Sequence, residues 1–235
     1  YYTFRYTALA DQIIVVTNRV SKPETGGFKV QKVVEGKEND TTKFQITITL
    51  KNADGNAYAG KVTVNGTEET TEDGILKKTV TAAEDLTITG LPVGTKYAVS
   101  EDDLTEEQTK AGYSKVSVDN ETGTVAKKFG TVTVNNSWTQ PTGGLVINKV
   151  VENKDIDATE FQITITLKNA DDSFYNGKAT VNGKEVAVVN GELKTGIVMG
   201  TPLTVSGLPV GTKYAVSENV TDAQKAVGYS KGTIE

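Results

Sequence analysis

The sequence has 235 residues, 37% of them hydrophobic, and 25 Lys and Arg against 30 Asp and Glu give a formal charge of −5; this is room for one or two globular domains. An acidic balance with no basic run argues against a nucleic-acid partner, since phosphate-binding domains concentrate positive charge. Cys and His are both absent, which removes thiolate and imidazole catalysis and the usual zinc sites and leaves carboxylate, lysine and amide chemistry; no apolar run reaches the roughly 18 residues of a membrane helix.

In chain order, Ile13 to Val20 (IIVVTNRV) reads as a strand within an opening segment 1–21, and SKPETGG follows, with a linker over 22–26. At Gly27 a strand pattern opens (GFKVQKVV) in which Phe28, Val30, Lys32 and Val34 share a face, because residues two apart point the same way. In FQITITLK, Phe44, Ile46, Ile48 and Leu50 face one way while Gln45, Thr47 and Thr49 face the other. Asn65-Gly66 is a tight-hairpin signal, since both central residues of such a turn sit at positive φ, and Gly90 with Pro92 marks another turn. Tyr97, Val99 and Glu101 share a face of the next strand. A brief helix is predicted over Thr105 to Ala111, too short to form a layer. Val132, Val134, Asn136 and Trp138 line one face of a closing strand, TVTVNNSW, before a linker over 139–144.

The pattern then starts again. FQITITLKNAD at Phe44 to Asp54 recurs at Phe161 to Asp171, and GLPVGTKYAVSE at Gly90 to Glu101 recurs at Gly207 to Glu218, both 117 residues on; GYSK at Gly112 recurs at Gly228. A period this long means tandem domains rather than solenoid units. The second copy repeats the inward rows Leu145, Ile147, Lys149, Val151 and Tyr214, Val216, Glu218, the Asn182-Gly183 turn and a short helix over Thr221 to Val227, and runs to Glu235 without a counterpart of TVTVNNSW. That counterpart stands in the first segment, where Ile14, Val16, Asn18 and Val20 line up. The organisation expected is therefore 1–21 as the last strand of a preceding or neighbouring domain, 27–138 as a complete repeat, and 145–235 as a repeat lacking its last strand. Short strands at regular spacing with turn signals argue an all-β fold of antiparallel sandwiches.

Parity also exposes an oddity, for each domain aims one Lys, one Glu and one Asn at its core. Buried charges are costly unless partnered. One reading is an ion pair at a sheet end. The other is chemistry: a desolvated lysine loses its proton, a buried glutamate gains one, and the neutral amine attacks the Asn side-chain amide to give an isopeptide bond, with the carboxyl as general acid and base.

The residues resemble the B-type repeat domains of Gram-positive collagen-binding adhesins (CNA-B-like) and the related pilin isopeptide-linkage domains. The pattern is a Lys on the first strand (GGFKVQKVV, GGLVINKVV), a Glu ending YAVSE twice, and an Asn on the last strand (VTVNNSW, IVVTNRV). The resemblance implies tandem immunoglobulin-like sandwiches in which Lys32 bonds to Asn136 with Glu101 as catalytic carboxyl. Asn135 is the competing acceptor; Asn136 is preferred because Val132 and Val134 set its parity, and because Asn18 aligns with it when Pro23 is matched to Pro141. Lys149 and Glu218 lack an acceptor Asn downstream, so their partner is Asn18 of a neighbouring chain or sequence outside this one.

Other motifs carry bland readings. Leu91-Pro92-Val93-Gly94-Thr95, its copy at Leu208, and Lys22-Pro23-Glu24-Thr25-Gly26 resemble a sortase signal out of context and read as turn and linker. Asp54-Gly55, Glu101-Asp102-Asp103 and Asp171-Asp172 lack the alternation of a calcium loop and read as solvated turns; no metal or cofactor is expected. The function expected is a stalk or shaft module of an extracellular adhesin or pilus on a Gram-positive cell wall. It is not an enzyme beyond one autocatalytic event. Its partners are further repeats or copies joined head to tail, through strand complementation by 1–20, and a host protein or glycan. The alternatives are a host-binding module and spacer domains of a large secreted enzyme.

Overall fold

The computed structural model describes residues 15–20 and 23–235, which divide into two compact units, residues up to 103 with 115–136 and residues 104–114 with 137–235. Ten strands belong to the first repeat: β1 (Thr25–Glu35), β2 (Phe44–Lys51), β3 (Gly60–Val64), β4 (Thr67–Thr71), β5 (Ile75–Val80), β6 (Leu86–Pro92), β7 (Lys96–Glu101), β8 (Tyr113–Asp119), β9 (Thr122–Thr124) and β10 (Gly130–Trp138), with helix α1 (Glu106–Lys110) between β7 and β8. They form a six-stranded sheet in the order β4-β3-β6-β1-β10-β8 and a four-stranded sheet β5-β2-β7-β9. The second repeat has β11 (Thr142–Ile147), β12 (Glu160–Lys168), β13 (Lys178–Val181), β14 (Lys184–Ala187), β15 (Glu192–Val198), β16 (Leu203–Pro209), β17 (Lys213–Asn219) and helix α2 (Asp222–Ala226), in sheets β11-β16-β13-β14 and β15-β12-β17. The fold is all-β, built of antiparallel sandwiches.

Local sequence explains the elements. In β2 the inward row Phe44, Ile46, Ile48 and Leu50 is almost entirely buried, and Gln45 on the outer face pairs with Thr79 of β5. Asn65 and Gly66 take φ of 47° and 84°, and Asn182 and Gly183 take 46° and 81°, so both hairpins close with two residues at positive φ whose twist matches the strands. Each short helix is defined by its cap: the Thr105 and Thr221 side chains accept the N–H of Gln108 and Gln224, whose side chains bond back to the cap. A Cβ on Gly26 would lie 2.0 Å from the Ala126 carbonyl oxygen, so only glycine lets β1 approach that segment.

Four expectations are corrected. Gly90, expected in a turn, lies inside β6 at φ 77°; the β1–β6 register jumps from Gly26↔Leu91 to Gly27↔Thr89, so Gly90 is the extra residue of a bulge, and the chain reverses at Val93-Gly94 instead. β1 and β11 begin at Thr25 and Thr142, so the ends of both expected linkers belong to strands. Of the strand expected over Ile13 to Val20, residues 15–20 are exposed and carry no strand, having no ladder partner among the described residues; Ile13 and Ile14 lie outside the described residues. Trp138 is half-buried rather than in the core, since its indole N–H donates to the Ala111 carbonyl (2.8 Å).

Candidate functional site: a buried lysine, glutamate and asparagine

β1, β7 and β10 bring three polar groups together inside the first repeat. Lys32 is 3% exposed, Glu101 8% and Asn136 1%. The Lys32 Nζ lies 3.0 Å from Glu101 Oε1, and Asn136 Nδ2 donates to the same oxygen at 2.9 Å. Lys32 also reaches the Val134 carbonyl at 3.4 Å and stands 4.5 Å above the Phe44 ring. Each side chain arrives by the period of two: the inward rows of β1 (Phe28, Val30, Lys32, Val34), of β7 (Tyr97, Val99, Glu101) and of β10 (Val132, Val134, Asn136) are buried throughout. Phe28 and Tyr97 stack at 4.1 Å.

Burial pushes the Lys32 amine below its usual pKa, against the hydrogen bond and charge of Glu101. The site thus favours the neutral, nucleophilic amine more than water does. Asn136 Oδ1 is a buried side-chain oxygen with no hydrogen-bond partner. Such an atom is costly to leave unpaired, and a donor reaching it during a reaction would stabilise charge developing there. Glu101 touches both the amine and the carboxamide and so can carry a proton between them.

In the second repeat Lys149 meets Glu218 at 2.5 Å and lies 4.2 Å from the Phe161 ring centre. The lysine was expected on the opening strand, yet β11 stops at Ile147, and Lys149 is half-buried. The inward row Leu145, Ile147, Val151 is likewise only half-buried, Val216 and Glu218 too, and Tyr214 is 62% exposed. The reason is topological: β1 lies between β6 and β10, whereas β11 has β16 alone beside it among the described residues. Asn18, the candidate acceptor for Lys149, is exposed and in no strand.

Asn135, the competing acceptor, points away: its amide donates to Ser117 Oγ (3.0 Å) and Asp119 Oδ2 (2.9 Å). Asp54 and Asp171 fold their own turns by accepting the N–H of Asn56 and Ser173, and no group of three potential metal ligands occurs among the described residues. Pro92 ends β6 and Val93-Gly94 turns; Lys22 lies outside the described residues.

Several participants were not singled out in the sequence. The Phe44 ring under the Lys32 amine was assigned only to a core row, and Phe161 only to the repeated segment. Lys115 donates to the Glu101 carbonyl (2.9 Å) and meets Asp103 (3.3 Å), holding the end of β7. In the second repeat Asp157, Thr159 and Tyr229 form a hydrogen-bonded group beside Phe161. The signal available was the repetition of GYSK, which contains both Lys115 and Tyr229.

Among solved structures, the chain is similar to a pilus-presented adhesin (Cpa), at 26% identity over 49% of this chain and 28% of that one, with a TM-score of 0.39. The chain thus spans little more than a quarter of that adhesin. It is also similar to the major pilin from Streptococcus pyogenes (17% identity, 87% of this chain and 85% of that one, TM-score 0.38) and to the major pilin T-13 from the same organism (16%, 86% and 84%, TM-score 0.34). No curated protein matches. A family model described as "Domain of unknown function (DUF7601)" matches residues 26–138 and again 143–235, and the chain belongs to that family.

Proposed function

We propose that the chain is a stalk segment of a Gram-positive cell-surface adhesin or pilus, and that its first repeat closes itself covalently through a bond between Lys32 and Asn136. The observation that carries this reading is the buried trio, in which one carboxylate oxygen lies within 3.0 Å of the amine and 2.9 Å of the carboxamide nitrogen. The neutral Lys32 Nζ attacks Asn136 Cγ; a proton leaves the amine through Glu101 and is delivered to Nδ2; the Cγ–Nδ2 bond breaks, and ammonia departs. One amide is exchanged for another, so no oxidant, metal or cofactor is consumed. The groups are buried and used once, which suits a staple and not turnover of an external substrate. Like a disulfide, such a bond constrains the unfolded chain, and it needs no Cys.

The partners that fit are further repeats and copies arranged head to tail. Lys149 and Glu218 form the matching pair at an edge that takes a strand carrying Asn, whether from Asn18 of a neighbouring chain or from sequence outside this one. The test is the intact mass of the denatured chain beside Glu101→Ala. A deficit of about 17 Da in the parent and none in the variant supports the bond, denaturant-resistant ladders support capture by Lys149, and no deficit reduces the trio to a buried polar cluster.

A further inference from the structure

The second repeat contains a polar group that the bond-forming trio does not use. Asp157, 7% exposed, accepts the Thr159 N–H at 2.8 Å and the Tyr229 hydroxyl at 2.7 Å, and pairs with Lys154 at 2.9 Å. The hydroxyl has one proton to give and two lone pairs to fill. Its proton goes to Asp157, so the contacts from Lys154 Nζ (2.6 Å) and Thr159 Oγ1 (2.9 Å) are both received. Every valence of the Tyr229 oxygen is engaged, and the ring is fixed. It sits edge-on to Phe161, with centroids 5.2 Å apart at 82°, and Phe161 is the ring 4.2 Å from the Lys149 amine.

We propose that Asp157 and Tyr229 are positioning residues that set the aromatic floor beneath the lysine. By sequence equivalence Asp40 does the same for Lys32. The inference rests on reading the trio as bond-forming. Lys37, Asp40, Thr42 and Phe44 precede Lys154, Asp157, Thr159 and Phe161 by 117 residues, and Tyr113 precedes Tyr229 by 116. In the first repeat Asp40 and Tyr113 are again buried, Asp40 accepts the Thr42 N–H (3.0 Å) and hydroxyl (2.9 Å), and Lys37 lies 3.6 Å away. A buried carboxylate is costly and is kept only where donors satisfy it; in the second repeat the donors to Asp157 come from the lysine-side loop and from Tyr229 of the GYSK segment. An amine on a long, flexible side chain reacts only when held in line with the carbonyl carbon, and a displacement of about 1 Å can cost a hundredfold in rate. A ring locked from behind confines that amine while Glu101 or Glu218 holds its other side. In the second repeat the floor is assembled although, among the described residues, no closing strand lies beside β11, so the lysine is held before its acceptor arrives.

The test has two arms. Chain made by cell-free synthesis is quenched at intervals and weighed intact, for the parent and Asp40→Asn, with near-ultraviolet circular dichroism establishing that each is folded. Loss of the charge is expected to slow the 17 Da loss roughly tenfold to a hundredfold while the end point stays the same; equal rates in the folded variant overturn the proposal. In the second arm the Lys149 Hε protons, shifted upfield by the Phe161 ring, move toward ordinary values in Tyr229→Phe; an unmoved resonance also overturns it. A parent chain that never loses 17 Da removes the bond reading itself, which separates that failure from this one.

Discussion

Tyr97 and Tyr214 occupy the same position in two copies of one sequence, YAVSE, yet the first is 9% exposed and the second 62%. Their own strands pair alike, β7 with β2 and β17 with β12. What differs is the neighbourhood. In the first repeat β9 pairs with β7 and β10 lies beside β1, whereas the described second repeat contains neither counterpart. Gly26 and Gly143 report the same thing: a Cβ on the first collides with Ala126, and on the second it meets nothing within 4 Å. Yet the centre of the core is indifferent, for Ile48 and Ile165 are both fully buried. Burial at the candidate site is thus a property of the closing segment, while burial at the centre belongs to the shared strands.

The comparison can be broken most forcefully at the acceptor. Asn136→Ala is expected to abolish the mass deficit and to remove about 4 to 5 kcal/mol, the unfolded-state constraint of a loop of roughly 100 residues, so that the urea transition of the first repeat moves toward that of the second. An unchanged transition would mean the staple contributes nothing. Next come Ile48→Ala and Ile165→Ala, each expected to cost about 2 to 5 kcal/mol in its own repeat's transition; a much smaller cost for Ile165 would show that the open repeat has a looser centre. Gly26→Ala should cost about 1 to 3 kcal/mol through overpacking, and Gly143→Ala no more than about 0.5 kcal/mol, read from the same curves.

The smallest effect concerns pH. In the unlinked Asn136→Ala chain the folded-state pKa of Lys32 lies below its unfolded value of 10.5, chiefly through burial. The unfolded state therefore binds more protons between those two values, and stability rises with pH across that window, the full cost of the buried charge being present below it. Urea midpoints should climb accordingly toward pH 10.5, and Lys32→Met in the same background should flatten the climb.

Much of this was legible because strands obey a strict period. Alternation alone placed Ile46, Ile48 and Leu50 inward, and it placed Lys32, Glu101 and Asn136 on the same inward rows as Phe28, Tyr97 and Val134. Thr105 and Thr221 were readable as the starts of helical stretches, and the structure shows each as the cap of one. Gly90 was misread because a glycine at positive φ serves a bulge as well as a turn, and only the partner strand decides which. The half-exposure of Lys149 was illegible for a related reason: parity names the face, whereas burial depends on what lies beside it. The Asp157, Thr159 and Tyr229 group joins residues some 70 positions apart, and no local pattern announces such contacts.

The sheet order β6-β1-β10 has one more consequence. The first and last strands of the repeat are neighbours, and Lys32 and Asn136, one from each, meet the same oxygen of Glu101. A covalent tie at that point would place residues 33–135 on a closed side branch of the polypeptide. At about 3.4 Å per extended residue, roughly 350 Å of contour would be withheld from any pull on the ends. The stapled repeat would then behave as an almost inextensible link, its end-to-end length set by a few residues of β1 and β10, however much of the remaining sandwich came apart.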